Sequence, residues 1–277
     1  MAFFQVNFFS PTLGFNTDID VFIPTPNSDE VLNKKKSEYF QKNRKYQVLY
    51  LLHGAYGDYT DWMRLTSIEK YAQNHKLAVV MPSASNSFYQ DMFRGSDYLT
   101  YLTEELPRFV KAIFPISGRR EDTFVAGLSM GGYGAVRLAF TKPEQYAACA
   151  SLSGAIDIAG CKAQIDDGSI DGPFLWNSIF EHADQIEGSD ADLFALAKKQ
   201  KELGKELPKV FQTCGTEDFI YQLNIAAHKK LLEAGVDVTY EEHPGIHDWD
   251  YWDTHIQRAL DWMPLADDSV EAEKEGK

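Results

Sequence analysis

Ser129 stands in Gly127-Leu128-Ser129-Met130-Gly131, a G-x-S-x-G pentapeptide whose serine is placed for nucleophilic attack. The five residues alone are common enough that their context decides. The apolar run Thr123 to Leu128 leads into the serine, and the glycine-rich Gly131 to Leu138 leads away from it. A strand that turns sharply into a helix leaves no room for side chains two positions either side of the serine. Gly127 and Gly131 meet that need, and Gly132 and Gly134 let the helix pack close to adjacent strands. The N-terminus of such a helix points N–H groups and a positive dipole end at the reacting atoms.

A serine hydroxyl needs a base within hydrogen-bond reach. Of seven histidines, His53 comes too early for the Ser…Asp…His order of this kind of site. His75 and His228 lie in or beside helical stretches, His182 in a long insertion and His255 inside the last helix. His243 and His247 follow the last strand. His247, in Pro244-Gly-Ile-His-Asp-Trp249, is favoured because it projects further beyond the strand and has glycine beside it. The acid belongs at the end of the preceding strand, where Lys209 to Asp218 supplies Asp218, with Glu217 as its near rival. Asp218 would accept a hydrogen bond from one ring nitrogen of His247 and stabilise the imidazolium. Asp248 and Asp250 are read as caps of the final helix.

Leu51 to Asp58 (LLHGAYGD) follows a buried strand and can aim a backbone N–H at a developing oxyanion, with the N–H of Met130 as the second donor. His53 is read as holding that loop or touching substrate, without a proton-transfer role. Bulky residues, Tyr56, Trp62, Phe88, Trp176 and Phe219, are candidates for the walls of a compact site, and Gly54 joins them as a close neighbour of the bound group.

Taken together, LLHGAYGD, NSFYQDM, GLSMGGYGA, CGTED and HDWDYW, in that order, resemble the esterase D / tributyrin esterase family, relatives of antigen 85-like proteins and of feruloyl and acetyl-xylan esterases. The resemblance runs from about residue 3 to residue 263. It implies an α/β-hydrolase fold, a Ser129–Asp218–His247 triad, oxyanion donors at Ala55 and Met130, and neither a metal nor an organic cofactor. Phe88 to Asp91 resembles a site-lining segment, so Tyr89 and Asp91 are expected either to shape the pocket or to brace a loop. The implied activity is ester hydrolysis by a serine carboxylesterase; the substrate is not carried over, and the bulky candidate wall residues are what point to short-chain acyl or carbohydrate-linked esters. Acyl transfer to an alcohol and a non-catalytic binding protein on the same fold are the alternatives.

The elements that must position these residues are legible. Phe3 to Phe9 and Asn16 to Ile23 alternate as strands. Apolar runs at 47–52, 77–81, 123–128, 146–152 and 209–213 read as strands buried on both faces, with a further strand at 236–242. Helical stretches lie between them at 61–74, 97–113 (bent at Pro107), 131–140, 219–234 and 249–262. The alternation predicts a mostly parallel sheet of about eight strands, helices on both faces, in one domain over 1–265. Residues 155–208 are long for a crossover and are read as a small helical lid with pieces near 173–183 and 190–203. The lysine-rich 27–46 reads as an exposed excursion, and 266–277 as an acidic tail without fixed structure.

Composition sets the remaining limits. The chain has 277 residues, 44% of them hydrophobic, enough for a substantial core. With 41 acidic against 27 basic residues, the net charge of −14 argues against a nucleic-acid partner. Cys149, Cys161 and Cys214 form no C-x-x-C pair, so neither a disulfide framework nor a zinc site is expected. No signal peptide and no bilayer-spanning run is evident, and a cytoplasmic protein with a small-molecule ester as its partner is expected, with homo-oligomerisation left open.

Overall fold

The computed structural model describes residues 1–33, 44–266 and 270–271. In chain order its elements are β1 (Ala2–Ser10), β2 (Phe15–Ile23), α1 (Ser28–Asn33), β3 (Arg44–Lys45), β4 (Val48–Leu52), α2 (Asp61–Leu65), α3 (Ile68–Asn74) and β5 (Ala78–Pro82). Then come α4 (Tyr98–Thr100), a π-helical turn (Tyr101–Glu105), α5 (Leu106–Ile113), a 3₁₀ turn (Arg120–Asp122), β6 (Thr123–Leu128), α6 (Met130–Thr141) and β7 (Ala148–Leu152). The last part holds α7 (Ile158–Asp166), α8 (Trp176–Ile179), α9 (Leu193–Glu202), β8 (Lys209–Gly215), α10 (Tyr221–Glu233), β9 (Val238–His243), α11 (Trp249–Trp262) and β10 (Val270–Glu271).

Eight strands form one sheet in the order β1-β2-β5-β4-β6-β7-β8-β9. The first three pair antiparallel and the rest parallel. This is the α/β-hydrolase architecture. The central strands are buried along their whole length because helices cover both faces. Alternate residues therefore feed two cores: Val48, Tyr50, Leu52 and Val125 on one side, Leu49, Leu51, Phe124 and Ala126 on the other. Among the described residues no helix is long and apolar enough to cross a membrane.

The differences from expectation have local causes. The stretch 61–74 is two helices, because the Thr66 hydroxyl donates to the Trp62 carbonyl and accepts from the Ile68 N–H, closing one helix and opening the next. The bend in 97–113 is the π-helical turn that precedes Pro107, which has no N–H to continue the ladder. The insertion holds three helices rather than two pieces. The unforeseen α7 is capped by Asp157, whose carboxylate accepts from the Gly160 N–H. Part of the acidic tail is tied down: the Ala266 N–H donates to Gln47 Oε1, and Val270–Glu271 pairs with Arg44–Lys45. Lys34 to Lys36, and the tail at 267–269 and 272–277, lie outside the described residues.

One buried acid weakens this framework. Asp20 on β2 is fully buried, and neither carboxylate oxygen has a hydrogen-bond partner among the described residues. Burial, with the charges of Asp58 and Asp18, pushes its carboxyl up to about 6. A folded-state value above the unfolded one means that ionising Asp20 costs stability, fully above about pH 6 and progressively less toward pH 4. Asp20→Asn is expected to raise the melting temperature at pH 8 by on the order of 2–4 °C, with the gain shrinking as the scan is repeated toward pH 5. A gain that is constant with pH would contradict this assignment.

Candidate active site

Ser129, Asp218 and His247 all emerge beyond the carboxyl ends of strands, where open α/β sheets place their ligand sites. Ser129 lies between β6 and α6 with φ +53° and ψ −119°, a backbone region that L-residues rarely occupy. The turn is clamped from both sides. The Ser129 N–H donates to the Leu152 carbonyl, and the Ser129 carbonyl accepts from the N–H groups of Gly132, Tyr133 and Ala155. A Cβ at Gly131 would stand 2.5 Å from the His53 carbonyl oxygen and 2.6 Å from that of Leu52. One at Gly127 would meet the Gly131 backbone at 2.3 Å. Only glycine lets the start of α6 seat against the end of β4.

His247 Nε2 is 3.0 Å from Ser129 Oγ. Its Nδ1 is 2.8 and 3.0 Å from the two oxygens of Asp218. The structure thus brings His247, and not His243, to the serine; His243 faces Glu241 and stacks beside His255. Burial alone would raise the Asp218 carboxyl, but the His247 hydrogen bond and charge, helped by the Ile220 N–H, outweigh it and hold the carboxyl below its ordinary value. Asp218 therefore stays a carboxylate at neutral pH. Asp248 caps α11 by accepting from the Tyr251 N–H.

Glu217, the rival acid, points elsewhere and does something else. Its carboxylate accepts from the Gly245 N–H, which holds it below its ordinary value, and its own N–H donates to the Gly245 carbonyl. The loop carrying Asp218 is thereby laced to the loop carrying His247. Aromatic rings brace the imidazole from behind. Phe219 lies 4.4 Å from it and Trp252 5.0 Å, Trp252 rests on Trp249, and Trp249 on Trp62.

The serine opens onto a cavity of about 320 Å³. Gly54, Ala55, Tyr56, Met130 and Phe219 line it as expected, together with Phe88. Several other expected contacts lie behind its wall. Trp62 is buried, with its indole N–H given to the Leu52 carbonyl. Tyr89 is buried too, and its hydroxyl donates to the His53 carbonyl. Asp91 is an exposed cap that accepts from the Thr100 N–H and hydroxyl. Trp176 stacks behind Phe88 and Phe174. His53 accepts from the Ala84 N–H at Nε2, so its proton is on Nδ1, which donates to the Gly54 carbonyl. Burial lowers its proton affinity, so the ring is a neutral strut for the loop. None of these five is on the cavity lining; Asp91 braces its own loop, and the other four lie behind the wall.

The wall residues missed from sequence come chiefly from the insertion: Ala155, Cys161, Ile165, Ile170, Pro173 and Phe174, joined by Asp61 and Asp171 at polar points and by Trp249 and Trp252. Phe174, inside the helical piece anticipated near 173–183 but ahead of α8 in the structure, carried an aromatic signal. Ile165, near the end of α7, and Ile170, in the turn after it, carried none, since an isoleucine reads the same whether it faces a core or a cavity.

Residues 31–263 match the family model described as "Putative esterase". The chain belongs to this esterase family. The esterase is 35% identical over 272 residues to an acetyl esterase of Caldicellulosiruptor saccharolyticus, covering 97% of this chain and all of the relative. It superimposes on the S-formylglutathione hydrolase FrmB of Staphylococcus aureus with a TM-score of 0.81 at 35% identity, over 95% of this chain and 98% of that one. A second Staphylococcus aureus structure, the fluorophosphonate-binding serine hydrolase FphF, gives 0.79 at 34% identity over 95% and 98%. The chain is accordingly an ester-hydrolysing enzyme of the serine-hydrolase kind.

The lacing by Glu217 should be felt in turnover. Glu217→Ala in this esterase is expected to cut kcat by about 10–100-fold with little change in KM, because a small misplacement of a reacting group is costly. The melting curve of the variant checks that the fold survives. An unchanged kcat would remove Glu217 from any positioning role.

Proposed function

We propose that this esterase is a serine carboxylesterase acting on short, uncharged acyl esters, of simple alcohols or acetylated sugars, through an acyl-enzyme on Ser129. The observation that carries the reading is the continuous hydrogen-bonded line from Ser129 Oγ through His247 to Asp218, set at the mouth of a small cavity.

His247 Nε2 takes the hydroxyl proton as Ser129 Oγ attacks the ester carbonyl. Asp218 holds Nδ1–H in place and stabilises the imidazolium. The oxyanion forms beside the Ala55 and Met130 N–H groups, both on the cavity lining. His247 then gives its proton to the departing alkoxide, which leaves as the alcohol. Water, deprotonated by the same nitrogen, attacks the acyl carbonyl; the acyl–Oγ bond then breaks, the imidazolium returns the proton to Ser129 Oγ, and the acid leaves.

Cavity size and charge support the substrate class. About 320 Å³ is at the small end of ligand sites. Ile165, Ile170, Phe174 and Phe88 make one wall apolar. Asp61 and Asp171 are acidic, and among the described residues neither Lys nor Arg is on the lining. Burial and the neighbouring Asp58 raise the Asp61 carboxyl. A second reading, hydrolysis of a glutathione thioester, draws on the likeness to the S-formylglutathione hydrolase. The acidic lining disfavours it, since Asp61 and Asp171 repel a peptide carboxylate.

The expected profile is highest kcat/KM on acetyl to butyryl p-nitrophenyl esters, falling with longer acyl chains and exceeding that for S-formylglutathione. Ser129→Ala should lose at least about 10⁴-fold in kcat and all labelling by a fluorophosphonate, and Asp218→Asn should lose on the order of 10⁴-fold in kcat. Best turnover on octanoyl esters or on the glutathione thioester would overturn the substrate class, and labelling that persists in Ser129→Ala would overturn the nucleophile. Adding methanol separates acyl transfer from hydrolysis by its products.

A further inference from the structure

The two edges of the eight-stranded sheet are built differently. β9, at one edge, carries Glu241, Glu242 and His243. Charge on an edge strand is a common way to keep it from pairing with another chain. β1, at the other edge, reads AFFQVNFFS and has no charge, proline or glycine. Among the described residues β2 alone pairs with β1 in the sheet, and its outer edge has no strand beside it. Phe3, Phe4 and Phe9 are 46%, 42% and 61% exposed on this strand.

The strand also reads nearly the same in both directions about Val6. Phe3 mirrors Phe9, Phe4 mirrors Phe8, Gln5 mirrors Asn7, and Ala2 mirrors Ser10. Two antiparallel strands related by a two-fold axis set each residue opposite its mirror. A second copy therefore offers phenylalanine to phenylalanine, carboxamide to carboxamide, and Val6 to itself. We infer that β1 pairs antiparallel with β1 of a second copy of this chain, about a two-fold axis through Val6, so that one sheet runs through both subunits.

The side-chain layers fit this register. Phe4 and Phe8 lie on the face that packs against Phe114 and Phe109, while Phe3 lies on the opposite face against Phe22. Pairing about Val6 sets Phe4 against Phe8 of the second copy on one face, and Phe3 against its Phe9 on the other. Each subunit's row of rings then continues into the next. Opposed residues must share a face about such an axis, so the nearest alternative registers move it to Asn7 or to Gln5, which puts Gln5 opposite Phe9 or Phe3 opposite Asn7; the axis at Val6 is therefore specified by the sequence. In the sheet β2, β5 and β4 stand between β1 and the serine-bearing β6, which leaves the site open in the dimer.

The test uses the full chain and sedimentation at micromolar concentration. The wild type is expected as a dimer. Val6→Cys should close, on mild oxidation, into a covalent dimer that reductant splits, because directly opposed residues lie within disulfide reach. Phe9→Cys, far from its own copy across the axis, should not, and the native cysteines are all buried. Gln5→Lys with Asn7→Lys sets like charges across the axis and should give a monomer. Gln5→Glu with Asn7→Lys sets opposite charges there and should restore the dimer. Retained hydrolysis of p-nitrophenyl acetate confirms that each variant is folded. A monomeric wild type, no cross-link at Val6→Cys, a dimer indifferent to two lysines, or a failure of the opposite-charge pair to restore it would each overturn the inference.

Discussion

Ser129 holds a left-handed backbone that costs about 1–3 kcal/mol, and the rest of the site is organised around keeping it there. The strain persists because the turn is bonded to the next strand at Leu152 and to the insertion at Ala155, and because glycine contacts admit no relaxation. The same contact that seats Gly131 against the Leu52 and His53 carbonyls brings the start of α6 beside the loop carrying Ala55. Ser129 and the loop carrying Ala55 are thus placed together by one close approach of backbone to backbone. A single added methyl group at either Gly127 or Gly131 would push them apart.

The second requirement is a histidine that is fixed yet free to trade a proton. Here the constraint is divided. Asp218 orients one ring nitrogen, Glu217 ties the two loops together through Gly245, and the indole of Trp252, set edge-on to the imidazole and to Trp249, stops the ring from swinging away. The acids are adjacent in sequence, but their surroundings separate their roles. Asp218 is buried against a cationic partner-to-be, while Glu217 answers to backbone N–H groups at the surface. His53 illustrates the converse. Its two nitrogens are both committed to backbone, so a histidine near the serine is turned into scaffolding.

The cavity wall comes largely from the segment least constrained by the sheet. The stretch around α7 and Phe174 contributes an apolar wall without touching Ser129's supporting bonds, apart from Ala155. Such a wall can change size and polarity while the elbow and the histidine loop stay as they are. Asp61 and Asp171 add acidic points to that otherwise largely apolar lining.

The order of strands and helices was legible in the sequence, because strands covered on both faces must be apolar throughout and helices between them must repeat at 3.6 residues. So were Ser129, Asp218 and His247 as candidates, since the glycines beside Ser129 are demanded by local backbone geometry. Only the tertiary structure decided what lies on the cavity surface. Trp62, Tyr89 and Trp176 look like wall residues by type, yet they sit one layer behind it, while Ile165 and Ile170, unremarked in sequence, reach it. The reason is physical: an apolar side chain gains similarly from burial against a core and against a cavity wall, so its chemistry does not record which side it faces. Backbone strain and hydrogen-bond order are written locally. The depth of a side chain relative to a cavity depends on contacts between elements distant in the chain.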